Sequence, residues 1–214
     1  MTSIDALIST LSADLAPIRR RSMWREALLL LALAGAELAI ILGAGIMRPD
    51  MGRMILSAPM MWKMGSLMLL AGVTCALAMR SLAPPSRSHH GMMVAAVLGV
   101  LAIFAGLAVT SAAEHAQPIL ERLAPMHGAR CAAAIIVLSL PMMAALAVVM
   151  RRAAPVHPKE SALACGLAAS TCGALVFTAC CPMNDPLYII VWYSVAIAIV
   201  AAMARWLLPR RFRL

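Results

Sequence analysis

The sequence predicts an all-α, polytopic membrane protein with six transmembrane helices and both termini in the cytoplasm. Three observations carry that expectation. Of 214 residues, 63% are hydrophobic and only 13% charged, too few charges to clothe a soluble surface. Six apolar runs, each close to the ~20 residues that a bilayer requires, occupy most of the chain. The eighteen Lys and Arg then divide unevenly between the ends of these runs, thirteen on the side of both termini and five on the other. Lys and Arg gather on the cytoplasmic side, and an even number of spans returns both termini to one side, so the two arguments agree.

Taken in order, residues 1–22 form a cytoplasmic N-terminal segment. Ile4, Leu7, Ile8, Leu11 and Leu15 follow three-and-four spacing, with Thr2 or Ser3 as cap and Pro17 as terminator. Asp5 and Asp14 lie beside that stripe. Amphipathic helices that bind an anionic leaflet are basic, so this acidic one is expected to dock on a soluble partner with an apolar groove. The Arg19–Arg21 run resembles the start of a signal peptide. The apolar stretch behind it is too long and contains Glu37, so it is expected to remain as the first span.

The membrane domain, residues 23–209, divides into helices from about Trp24 to Ile46, Met60 to Met79, Gly91 to Ser111, Cys131 to Met150, Ser161 to Ala179 and Leu187 to Leu208. Arg48-Pro49-Asp50, Pro84-Pro85, Pro125, Pro155 with Pro158, and Pro182 to Pro186 punctuate them. A polar loop is expected from about His115 to Arg130, and residues 210–214 form a basic cytoplasmic tail. No segment outside the spans is long enough to bury a core of its own, which argues against an enzyme. The net charge of +9 is explained by span-flanking cations, and no aromatic-basic surface suggests direct nucleic-acid binding.

The residues with chemistry are few. Cys75, Cys165 and Cys172 fall inside spans and are expected to pack as small thiols. Gly166, Ala169 and Gly173 beside them have the look of close helix contact in lipid. Cys131, Cys180 and Cys181 fall at the outer ends of helices four and five, facing a compartment where disulfides persist in bacteria. Adjacent α-carbons lie ~3.8 Å apart, below the usual disulfide span, so Cys131 is expected to pair with Cys180 or Cys181 rather than those two with each other. A thiolate metal site, with His115 or His127 as further ligand, is the other reading, because soft sulfur selects soft ions. Glu37 is the one carboxylate deep in a span, and Lys63 is expected to reach toward it. Eighteen methionines are scattered without a repeated spacing and are read as packing.

With these residues in view, the whole chain resembles the NrsF-type family of bacterial membrane anti-sigma factors. The matching features are Asp5-Ala6-Leu7-Ile8 with Asp14-Leu15-Ala16-Pro17-Ile18-Arg19, Arg48-Pro49-Asp50, Lys63, and Cys131. The most specific is Cys181-Pro182-Met183-Asn184-Asp185-Pro186-Leu187, leading to Trp192-Tyr193. The resemblance implies an inner-membrane regulator that sequesters an extracytoplasmic-function sigma factor. It also implies release on a periplasmic metal or oxidant signal, with Cys131 and Cys181 as sensing thiols and candidate ligands of a transient heavy-metal ion. No resident cofactor is expected. A small heavy-metal transporter and a membrane thiol-disulfide exchange protein are the alternative classes.

Overall fold

The computed structural model describes residue 8 and residues 23–45, 47–48, 50–82, 89–109, 118–153 and 155–210. Its helices are α1 (Met23–Gly43), α2 (Met51–Met54), α3 (Ala58–Ser81), α4 (His89–Val109), α5 (Ile119–Leu123), α6 (Pro125–Ala153), α7 (Pro158–Phe177) and α8 (Pro186–Arg210). Six of these elements are long and apolar enough to cross a membrane, as expected. Large aliphatic and aromatic side chains cover the outside, among them Leu31, Ile40, Leu101 and Phe104. Hydrocarbon tolerates such a surface and water does not. Of the N-terminal stripe, Ile8 is helical and exposed. Ile4, Asp5, Leu7, Leu11, Asp14 and Leu15 lie outside the described residues.

Most boundaries differ from expectation by up to three residues, one by more, and two of the differences have a clear local cause. α1 ends at Gly43 rather than Ile46, where Gly45 at φ +67° turns the chain in the left-handed region that glycine enters without steric cost. The fourth long helix begins at Pro125, not Cys131. Ala124, at φ 37° and ψ 67°, breaks α5 from α6, and Pro125 then opens α6 where its missing N–H would have had no partner. The expected loop is therefore helical from Ile119, and Cys131 sits in the second turn of α6.

α7 is the central helix. It packs on α3, α6 and α8 and buries Ala, Gly, Ser and Cys along most of its length. Between helices in lipid, close backbone approach replaces the hydrophobic effect as the source of stability. A Cβ on Gly166 would stand 2.6 Å from the Ala204 Cβ and 2.9 Å from the Ala201 Cα, and one on Gly173 3.0 Å from the Ser139 backbone nitrogen. The small residues of α7 are thus set by its neighbours' backbones.

Polar rungs join α3 to α7. The Thr74 and Thr171 hydroxyls are 2.8 Å apart, and the Ser161 hydroxyl donates to the Ser81 carbonyl at 3.0 Å. Cys75 and Cys172, expected as separate packed thiols, face each other across this seam with sulfurs 3.5 Å apart. Spacing along one helix cannot show this, because the pairing depends on how two helices are rotated against each other.

Candidate functional site: the Cys181 loop

Residues 181–185 link α7 to α8 and cannot continue the helix, because Pro182 and Pro186 bracket them. Asp185 ends the loop as a helix cap: its carboxylate accepts the Leu187 N–H at 2.9 Å. Arg122, from α5, grips the same carboxylate through two bonds of 2.9 and 2.7 Å. Burial opposes ionisation of Asp185, but the Arg122 guanidinium and the helix N–H groups outweigh it and hold the carboxyl below its ordinary value. On the other flank, Arg48 donates to the Cys181 carbonyl at 3.3 Å, to the Asn184 side-chain oxygen at 3.0 Å and to Asp50 at 3.2 Å. Two arginines from two separate connections therefore clamp one loop.

Lys63 rises into this loop from α3 and is fully buried. Its Nζ donates to the Met183 carbonyl at 3.2 Å, lies 5.3 Å from the centre of the Tyr193 ring, and stands beside Cys181. The expectation that Lys63 reaches toward Glu37 is overturned. A long ammonium side chain extends to where carbonyls are available, at the end of the bundle. Glu37 instead lies buried on α1, its carboxylate oxygens without a hydrogen-bond partner among the described residues.

The two thiols close the site. Cys181 is fully buried and lies against Cys131, which is partly exposed. The Tyr188 hydroxyl donates to the Cys131 sulfur at 3.1 Å. The Tyr193 hydroxyl lies against Cys181, short of full hydrogen-bond geometry. Of the two partners left open for Cys131, the geometry places Cys181 opposite it. Cys180 is half-buried outside the pair, and burial, then the charge of Cys181, pushes its thiol up. The contact with Cys131 and the Lys63 ammonium, acting against burial, bring Cys181 down to about 5. All six cysteines are free thiols.

This arrangement can do two things: bind a soft ion through two sulfurs, or oxidise to a disulfide. The expected histidine ligand is absent from the pair: His127 is exposed and His115 lies outside the described residues. No three His, Cys, Asp or Glu converge as a metal set among the described residues. Arg48, Arg122, Asn184, Asp185, Tyr188 and Tyr193 were not singled out from the sequence as site residues. Charged residues in connections this short, within so apolar a chain, were the available signal.

Lys63→Met is expected to remove the second of the influences that lower the Cys181 thiol and so to raise it. The Cys131 contact remains, so the thiol rises part of the way, the thiolate fraction at neutral pH falls, and alkylation slows. The pH profile of alkylation in detergent-solubilised protein checks this. Its midpoint should move up from that of the parent, and an unmoved midpoint contradicts the role of Lys63.

The described residues thus form a bundle of six long apolar helices, with the Cys131–Cys181 pair and its clamped loop at one end and Arg151 and Arg152 at the other. The profile of the NrsF family, described as a negative regulator of sigma F, matches residues 11–214, and the chain belongs to that family. A protein of Azospira oryzae described as "Probable anti-sigma-F factor NrsF" is 32% identical over 173 residues, covering 79% of this chain and 78% of that one. No solved structure matches the chain.

Proposed function

We propose that this chain is an anti-sigma factor embedded in a bacterial inner membrane. It holds a sigma factor of the extracytoplasmic-function class against its cytoplasmic face and releases it when a thiophilic metal ion or an oxidant reacts at Cys131 and Cys181. Family membership supports the regulatory role. The single observation that supports the sensing role is the asymmetry of the thiol pair. Cys131 is accessible, while Cys181 is buried and acidic. A soft ion or oxidant enters at Cys131 and meets a thiolate behind it.

Reaction there strains the contacts of Cys181 with Lys63 and of its loop with Arg48, and so bears on α3, α6 and α7 together. α6 spans 29 residues and leads from the thiols to Arg151 and Arg152 at the opposite end. At 1.5 Å per residue such a helix crosses a bilayer, so a shift at one end is carried to the other. Affinity purification of the tagged full-length chain from its own membranes is expected to bring a sigma factor with it. A preparation that never contains one contradicts the proposal.

Orientation has its own test. Met126, before Cys131, and Val156, between α6 and α7, are both strongly exposed, at 72% and 80%. In a Cys131→Ser background, a membrane-impermeant maleimide added to intact spheroplasts is expected to label Met126→Cys and spare Val156→Cys. The reverse pattern inverts the topology.

A further inference from the structure

Cys75 on α3 and Cys172 on α7 lie outside the site above, inside two apolar helices, with their sulfurs 3.5 Å apart. Both are partly exposed at the side of the bundle, unlike the fully buried Cys165 on the same central helix. A third group stands with them. Glu37 on α1 is 8% exposed, has no hydrogen-bond partner for either carboxylate oxygen among the described residues, and lies within electrostatic reach of Cys172. A carboxyl placed this way costs free energy that packing does not return, which is the usual mark of a working group in a span.

We propose that Cys75 and Cys172 form a second, intramembrane dithiol, oxidised to a disulfide between α3 and α7 by a lipid-soluble quinone. The sulfurs are already in contact, and a disulfide brings them from 3.5 Å to ~2.05 Å. Two S–H bonds break and one S–S bond forms. The two electrons and two protons pass to the quinone, whose carbonyl oxygens become the hydroxyls of the hydroquinone. Glu37 accepts the Cys172 proton as the S–S bond closes and hands it on to the reduced quinone, which takes its other proton from Cys75. Water-soluble oxidants do not reach a thiol pair set among apolar side chains, so the oxidant comes from the bilayer. The bridge pins the helix that carries Lys63 to the helix that leads into the Cys181 loop. This inference does not depend on the identity of the cytoplasmic partner.

The test uses the full-length chain in lipid nanodiscs, incubated with decyl-ubiquinone, then denatured, alkylated and mapped by mass spectrometry. A peptide pair joined through Cys75 and Cys172 is expected in most molecules, reversible with dithiothreitol and matched by an equal amount of hydroquinone. Ferricyanide, which stays in water, is expected to leave the pair reduced. Glu37→Gln is expected to give the same bridge about a hundredfold more slowly, the lower end of what a positioned proton acceptor contributes. Free, alkylated Cys75 and Cys172 after quinone treatment overturn the proposal, as does a bridge at Cys131–Cys181 alone. Equal oxidation by ferricyanide overturns the lipid route, and an unchanged rate in Glu37→Gln overturns the part given to Glu37.

Discussion

Cys181→Ser, and separately Cys131→Ser, are expected to hold a sigma-dependent reporter at its uninduced level under cadmium or oxidant challenge, abolishing the entire response. Serine keeps the size and most of the hydrogen bonding of cysteine, so the Tyr188, Met183 and Lys63 contacts survive in kind. Only sulfur chemistry is lost, because a hydroxyl neither binds soft ions well nor forms a disulfide. Membrane abundance of each variant, measured beside the reporter, separates lost sensing from lost protein. If both variants respond to every inducer as the parent does, the pair has no sensing role.

The second large effect lies at the other end of the chain. Changing Leu7 and Leu11 together to Asp is expected to release the sigma factor constitutively while membrane insertion stays normal. An isolated helix as short as the Ile4, Leu7, Ile8, Leu11, Leu15 spacing predicts is marginal in water, so a partner's groove would supply its stability. Burying each leucine at an interface contributes roughly 1.5–3 kcal/mol, so losing both weakens binding by about two to four orders of magnitude. Co-purification and two-hybrid signal, measured beside abundance, check the outcome. Unchanged binding at normal abundance moves the partner site to the cytoplasmic connections near Arg87 and Arg152.

Much of the fold was legible because hydropathy is a one-dimensional signal. Six apolar runs and their proline breaks locate six helices to within a few residues, the start of α6 excepted. The Gly166 and Gly173 contacts were legible for a related reason, since only small residues let backbones meet. Cys131 and Cys181 could be placed at the same end because each lies near a break. Which of Cys180 and Cys181 faces Cys131 could not be read, because adjacent residues differ in direction and the loop geometry sets that direction.

The misplacement of Lys63 has the same root. Depth in the sequence suggested Glu37 as its partner, whereas the side chain runs to the Met183 carbonyl and Cys181. The contacts of Arg48 with Asn184 and of Arg122 with Asp185 join residues 136 and 63 positions apart. Nothing local encodes such pairings. The Cys75–Cys172 pair is equally long-range, and each cysteine alone reads as an ordinary packed thiol.

The central claim is that chemistry at Cys131 and Cys181 releases a bound sigma factor. Its most direct test is the purified chain–sigma complex in lipid nanodiscs, treated with cadmium or with a thiol oxidant. Sigma dissociation and the state of each cysteine are followed in the same sample by size separation and mass spectrometry. Dissociation is expected to track occupancy or bridging of Cys131 and Cys181, and a reductant or chelator to restore the complex. Dissociation with both thiols unmodified, or full modification with sigma still bound, contradicts it.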